Sequence, residues 1–324
     1  MSRVFDRIAI LGLGLLGGSV ALAAREAGVA RQRVGYARRR APLERALADG
    51  VVDEIADLQA AVTGADLIVL ATPIGTMEGL LAEIAPHLAQ GALVTDVGSV
   101  KGLLADRLPG LLPAGVHYVG AHPMAGSHER GVEFAVSDLF VGSRCVLSPV
   151  RSTPVEAVEA VADFWRELGA DVVYRDPGAH DAEVAWVSHA PHVLAFAFAK
   201  ALGEAPSLAG ELAGGGFRDF VRIARSDPGM WAEILNANRK ALGSPLRAFV
   251  KALDELTGMI EEGDAEAQEA FLAQARGALE GVTRNASPQA DPGRCEDVRS
   301  GDEIPEIQAD PGSATQGVTK TTNE

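Results

Sequence analysis

The sequence predicts an α/β fold: a doubly wound parallel sheet followed by an all-helical domain. Three observations carry this. An apolar run over residues 8–11 turns through Gly12 and Gly14 into an alanine-rich helical pattern, with Gly17 completing G-x-G-x-x-G. Short apolar runs then alternate with helical patterns as far as Tyr174, as parallel strands and crossover helices do. From about His180 onward strand patterns stop and helical ones follow one another. The expected organisation is a Rossmann-type domain over residues 1–176, an all-α domain over 177–286 and a disordered tail over 287–324. That tail is rich in Pro, Gly, Ser, Thr and acids, with almost no large apolar residue.

In chain order, the first turn carries the most chemistry. Gly12 lets the chain reverse, Gly14 lets a pyrophosphate approach the backbone, and Gly17 lets the helix pack on its strand. Leu15 and Leu16 belong to the same expected cofactor-binding turn, and the helical pattern from Val20 follows; the first N–H groups of such a helix lack intrahelical partners and favour an anion. Residues 32–37 read as a second strand. About 20 residues past the loop an acid commonly holds the ribose of NAD; here Ala37 is followed by Arg38, Arg39 and Arg40. Guanidinium groups suit a 2′-phosphate, which favours NADP over NAD; a solvated turn is the other reading. A helix is expected over 41–49, then a buried strand over 66–73 ending in Thr72 and Pro73, beside the cofactor. A helix over 76–88 and strands over 92–99, 118–122 and 144–149 follow. A helix over 154–168 and a strand over 171–174 close the sheet. Ligands in such sheets sit beyond the carboxyl ends of the strands, where Thr72, Ser99 and His122 fall.

The helical part begins with one long expected helix over 181–202, apolar almost all round, with Trp186, Phe196 and Phe198. Such a helix is buried in a bundle or at a subunit interface, so a homodimer is expected. Further helices are expected over 208–212, 217–225, 228–242, 246–262 and 265–279. A net charge of −15 argues against nucleic acid or an anionic membrane. No apolar run approaches ~18 residues, so no membrane span is expected. Cys145 and Cys295 form no disulfide framework and read as reduced thiols. The first strand begins too early to leave room for a signal peptide, and a cytoplasmic protein is expected.

Four stretches carry candidate chemistry. His122, in His122-Pro-Met-Ala-Gly126, leaves a strand end, where it serves as an acid–base group or caps the strand. Ser99, in Asp96-Val-Gly-Ser-Val-Lys101, meets a substrate hydroxyl or His122, or else caps the next helix. Lys101 serves a carboxylate or that helix. In Gly214-Gly-Gly-Phe-Arg-Asp-Phe-Val-Arg222, an arginine is a natural carboxylate anchor. Arg218, Asp219 and Arg222 share a helix face, as an ion network orienting Arg222 or a surface ladder. His189 and His192 stand one turn apart, but no H-E-x-x-H accompanies them, so no metal site is expected.

With these stretches in view, the sequence resembles the prephenate/arogenate (cyclohexadienyl) dehydrogenase family over roughly residues 5–280. The glycine loop, Asp96 to Lys101, His122 to Gly126 with Asp138-Leu-Phe140, Ser188-His-Ala-Pro-His192 and Gly214 to Trp231 occur in the family's order. The resemblance implies an active site between the two domains, NAD or NADP as cofactor, and oxidative decarboxylation of prephenate to 4-hydroxyphenylpyruvate in tyrosine biosynthesis. It implies that His122 is the base, oriented by Ser99. Arg222 would anchor a carboxylate with support from Arg218 and Asp219, while His189, His192, Gly215 and Trp231 line the substrate side. Arogenate is the alternative substrate. A 3-hydroxyacid dehydrogenase is more remote, because residues 181–201 offer only Lys200 as a catalytic lysine; a non-catalytic NAD(P)-sensing protein is the non-enzyme alternative. The sequence departs from the family's run at Ser127-His128-Glu129.

Overall fold

The computed structural model describes residues 4–126, 129–205 and 209–284. The expected tail, Ser127, His128 and the start of the expected 208–212 helix lie outside them. The N-terminal half runs β1 (Phe5–Leu11), α1 (Leu15–Glu26), β2 (Ala30–Tyr36), α2 (Arg40–Ala48), β3 (Glu54–Ile55), α3 (Leu58–Val62), β4 (Leu67–Leu70) and α4 (Ile74–Ile84). It continues through β5 (Leu93–Asp96), α5 (Gly102–Arg107), β6 (His117–Pro123), β7 (Arg144–Pro149), α6 (Val155–Glu167) and β8 (Asp171–Tyr174). The strands form one sheet in the order β3-β2-β1-β4-β5-β6-β7-β8. Two apolar layers cover its faces. One includes Ile8, Val20, Phe140 and Trp165, the other Leu11, Ile68, Met77 and Val94.

The sheet is not wholly parallel. β7 runs antiparallel to β6, and β8 returns parallel to β7. A parallel neighbour needs a crossover connection, usually a helix. Between Pro123 and Arg144 the described chain has only a 3₁₀ turn, Val132–Phe134, so β7 comes back beside β6 in the opposite sense. The short strand β3 also extends the edge beyond β2.

The helical half comprises α7 (Pro177–Val184), a π-helical turn over Ala185–His189, α8 (Ala190–Ala201), α9 (Gly215–Arg222), α10 (Pro228–Ala237), α11 (Arg239–Glu262) and α12 (Ala265–Arg284). Two expectations are corrected here. The helix expected over 181–202 starts earlier, because Asp176 caps it by accepting from Gly178 and Ala179 N–H, and the π turn interrupts it. The break expected between 242 and 246 lies instead at Asn238. There the buried Asn238 amide is tied to Asp181 and His189, while α11 runs on through Pro245. Trp186 and Phe198 are exposed in the single chain, at 55% and 42%. No described helix is long and apolar enough to cross a membrane.

The glycine turn is tight in two places and open in one. Gly12 has φ +112°, and a Cβ there would lie 2.5 Å from the Ala71 carbonyl oxygen. A Cβ on Gly17 would lie 1.9 Å from the Gly12 carbonyl oxygen, whereas one on Gly14 would meet nothing within 4 Å. Gly17→Ala is therefore expected to destabilise the fold by about 1–3 kcal/mol in urea unfolding. Gly14→Ala should leave that midpoint unchanged and weaken dinucleotide binding alone.

Candidate active site

Four adjacent strands, β1, β4, β5 and β6, run parallel, so their carboxyl ends share one edge of the sheet. Sequence order then places Gly12 and Gly14 after β1, Thr72 and Pro73 after β4, Ser99 after β5 and His122 at the end of β6 along that edge. At α1 no side chain caps the helix and no acid stands in its first turn. The buried hydroxyl of Thr72 has no hydrogen-bond partner among the described residues. A tight backbone turn, an open helix mouth and an orphaned hydroxyl fit a dinucleotide. Farther along the edge, a cavity of about 360 Å³ is lined by Tyr36, Ala37, Arg38, Arg40, Ile55 and Asp57 among others. Arg38 is exposed on its wall, and Arg40 is engaged by Glu44 at 2.7 Å. Arg39 is the residue before α2 and does not line the cavity.

The loop between β5 and α5 is organised by a buried ion pair. Lys101 Nζ donates to Asp96 Oδ2 and, at 2.7 Å, to the Ala121 carbonyl. Asp96 also accepts from Tyr118 Oη at 2.8 Å, Ala121 N–H at 3.1 Å and Gly98 N–H at 2.8 Å. The carboxylate that Lys101 serves is thus a protein one. Burial lowers the Lys101 ammonium's pKa against the opposing pull of Asp96, and burial with Asp96 raises the Tyr118 phenol well above its usual value. Burial also raises the Cys145 thiol, so it is no nucleophile.

His122 is buried and faces a partner the sequence did not reveal. Its Nδ1 lies 2.8 Å from His180 Nε2, and His180 Nδ1 lies 2.9 Å from Asp181 Oδ1. No hydrogen bond links His122 to Ser99 among the described residues, although Ser99 is half-buried at the same edge. Ser99 does not cap α5 either. The capping acceptor is Asp181, whose Oδ1 and Oδ2 take Lys101 and Gly102 N–H at 2.7 and 2.9 Å. The only sequence signal for His180 and Asp181 is two adjacent polar residues early in an otherwise apolar helix. Burial, then the neighbouring His180, Lys101 and His189, holds the His122 pKa well below its usual value.

The substrate-side candidates converge in part. His192 stacks on Trp231 with ring centroids 3.7 Å apart, and His189 meets the same indole edge-on at 5.9 Å. The buried Trp231 N–H has no hydrogen-bond partner among the described residues. His192 Nδ1 donates to the Ser188 carbonyl at 2.9 Å. Burial lowers the His192 pKa, the hydrogen bond to Ser188 opposes this, and the positive charge of Arg222 lowers it further. Neither the ion network nor the surface ladder offered for Arg218, Asp219 and Arg222 forms among the described residues. Arg218 instead donates to the Ala213 carbonyl at 2.8 Å, because exposed α9 side chains reach the nearby helix-entry backbone as readily as each other. Gly215 lies exposed in the first turn of α9.

Comparison with known proteins adds an independent line. The model for the prephenate dehydrogenase nucleotide-binding domain matches residues 20–174, and that for the prephenate dehydrogenase dimerization domain matches residues 176–274. The Bacillus subtilis prephenate dehydrogenase is 32% identical over 271 residues, 82% of this chain and 73% of that protein. The Zymomonas mobilis cyclohexadienyl dehydrogenase is 32% identical over 270 residues, 81% of this chain and 91% of that one. Among solved structures, A. aeolicus prephenate dehydrogenase in complex with hydroxyphenyl propionate and NAD+ superposes with TM-score 0.80 at 30% identity, covering 87% of this chain and 100% of that one. Synechocystis arogenate dehydrogenase gives TM-score 0.73 at 32% identity, over 85% and 99%.

The buried histidines set a pH response. Burial, against the pull of Asp181 and with help from His180 and His192, lowers His189 to about 4, and His122 is lowered as well. Both rings titrate near ~6.5 once unfolded. Below that pH the unfolded chain binds more protons than the folded one. Stability is therefore fully present above pH ~6.5 and is lost as pH falls toward the folded values. Melting temperature measured from pH 8 to 4 should show this fall, with a shallower slope in His189→Gln.

Proposed function

Because the chain belongs to the prephenate dehydrogenase family, we propose that it catalyses the oxidative decarboxylation of prephenate to 4-hydroxyphenylpyruvate with NAD(P) as hydride acceptor. The observation that carries this reading is His122, a buried imidazole held neutral at the strand edge that also bears the dinucleotide turn. NAD(P), when bound, supplies the hydride acceptor. The mouth of α1, with Gly12, Gly14, Leu15, Leu16 and Gly17, would hold its pyrophosphate; Thr72 and Pro73 would flank it. Arg38 supports a preference for NADP, since a guanidinium on the cavity wall suits a 2′-phosphate. Arg39 joins it only as a neighbouring positive charge.

The remaining tasks fall to side chains. His122 takes the proton of the ring hydroxyl, and Ser99 orients that hydroxyl. Arg222 anchors a substrate carboxylate in fork geometry, with Arg218 and Asp219 shaping the surface around it. His192 and Trp231 wall the ring, and His189 and Gly215 complete the substrate side. Loss of carbon dioxide from the opposite ring carbon aromatises the ring and sends its electron pair to the ring oxygen, which takes the proton back from His122, so the protein needs chiefly to orient the ring and hold one proton in transit. The dimerization-domain match and the exposed Trp186, Phe198, Leu253 and Ile260 support a homodimer formed through the helical half. The arogenate reading is favoured by one observation, the likeness to the Synechocystis arogenate dehydrogenase.

Steady-state rates with prephenate and arogenate, each with NAD and NADP, test the reading directly. Turnover of prephenate is expected; turnover of arogenate alone replaces it. His122→Asn should reduce kcat by roughly 10²–10⁴-fold with cofactor affinity unchanged, and wild-type turnover in that variant removes His122 from the mechanism. Arg38→Ala should raise KM for NADP and leave KM for NAD alone; equal effects on both cofactors would count against the 2′-phosphate contact.

A further inference from the structure

We propose that His180 and Asp181 are positioning residues that fix the tautomer of His122, and that the same Asp181 carboxylate makes this depend on docking of the helical half against the sheet. The inference rests on His122 being the base. An aspartate carboxylate only accepts hydrogen bonds, so a neutral His180 ring facing Asp181 Oδ1 across 2.9 Å carries its proton on Nδ1. Its Nε2 is then a lone pair, and His122 Nδ1, 2.8 Å away, must donate to it. The proton of the neutral His122 ring is thereby assigned to Nδ1, and Nε2 remains a lone pair. No hydrogen bond to that Nε2 exists among the described residues, so it is the atom left for a substrate hydroxyl. When Nε2 takes the hydroxyl proton, the resulting imidazolium keeps its Nδ1–H bond to His180, and the buried Asp181 charge stabilises the cation through the intervening ring.

Asp181 is not free to do this alone. Its Oδ1 accepts from His180 and also from Lys101 N–H at 2.7 Å, while Oδ2 accepts from Gly102 N–H at 2.9 Å. Those amides begin α5, which follows β5 in the sheet half, whereas Asp181 belongs to α7. A Cβ on Gly102 would lie 2.8 Å from Asp181 Oδ2, so the carboxylate sits tightly against that turn. A second tie holds Asp181 from behind, where Asn238 Nδ2 donates to its carbonyl at 2.8 Å. The orientation of the base is therefore set by a carboxylate that is itself oriented only when α7 is seated on α5.

The test compares His180→Leu, His180→Gln, Asp181→Asn and His122→Asn in the full-length enzyme. The readouts are kcat, KM for prephenate, NAD(P) affinity and the ¹⁵N shifts of the labelled histidine rings. His180→Leu and Asp181→Asn are expected to lower kcat by about 10- to 100-fold without raising KM or weakening cofactor binding. The His122 spectrum should change from an Nδ1–H to an Nε2–H or mixed pattern. His180→Gln, whose amide oxygen can accept from His122 Nδ1, should recover most of the lost kcat. Wild-type kcat and an unchanged His122 tautomer in His180→Leu, with His122→Asn inactive, overturn the relay and leave the base assignment standing. Wild-type turnover in His122→Asn overturns the base assignment instead. If Asp181→Asn fails to fold, the His180→Leu and His180→Gln pair decides: equal losses in both overturn the relay.

Discussion

The buried pair of Asp96 and Lys101 is the constraint on which the site depends. β5 and β6 pair through their ladder only as far as Thr95 and Val119. Beyond that point, Asp96 holds the Ala121 N–H and Lys101 holds the Ala121 carbonyl. The residue before His122 is thus pinned through both of its backbone groups by side chains from the neighbouring strand and loop. Removing one member of such a pair leaves an uncompensated buried charge, typically worth about 3–5 kcal/mol. The motif Asp96 to Lys101 follows from this geometry. The two charges must meet, and Gly98 must be glycine-sized because a Cβ there would lie 2.8 Å from Asp96 Oδ2. Ser99 is half-buried beside this pair.

The helix N-termini along that edge are treated unequally. After β4, Glu233 from α10 reaches the Gly75 N–H of α4 at 3.1 Å. After β5, Asp181 from α7 fills the start of α5. After β1, no side chain among the described residues caps α1 and no acid stands in its first turn. Each N-terminus attracts an anion. The helical half supplies two of them from its own acids and, among the described residues, leaves the third without one. Arg130 and Asp227 add a surface ion pair between the β6–β7 connection and the start of α10.

Much of this was legible in the sequence because its signals are local. Glycine spacing, apolar runs of strand length and the change of period near His180 lie within short windows, and the strands built from them stand where the runs do. What escaped depends on contacts distant in sequence. The antiparallel β7 was readable in principle, since no helical pattern separates His122 from Arg144 to carry a parallel crossover. The true helix break at Asn238 was masked by Gly243 and Pro245, which look like stronger breakers than a buried asparagine. The His122–His180 contact spans 58 residues, and His180 in isolation is merely a polar residue near a helix start. Local preference offered Ser99 as a cap beside its chemical role; a carboxylate 80 residues beyond Lys101 does the capping.

The π turn over Ala185–His189 restricts how this protein can change. It stores one residue more than an α-helix of the same rise would hold, and it lies between Asp181, whose carboxylate meets His180, and His189 and His192, which meet Trp231. Deleting one residue within the turn would let it relax to α-helix of nearly the same rise, whereas deleting one from the α-helical turns on either side would shift everything beyond it by about 1.5 Å and 100°. Asn238 would then no longer reach the Asp181 carbonyl and His189 together. Between Asp181 and His192 the π turn is therefore where a residue can be lost without turning His189 away from Asp181, and lineages descended from this chain should change length there before they do so in the flanking α-helical turns.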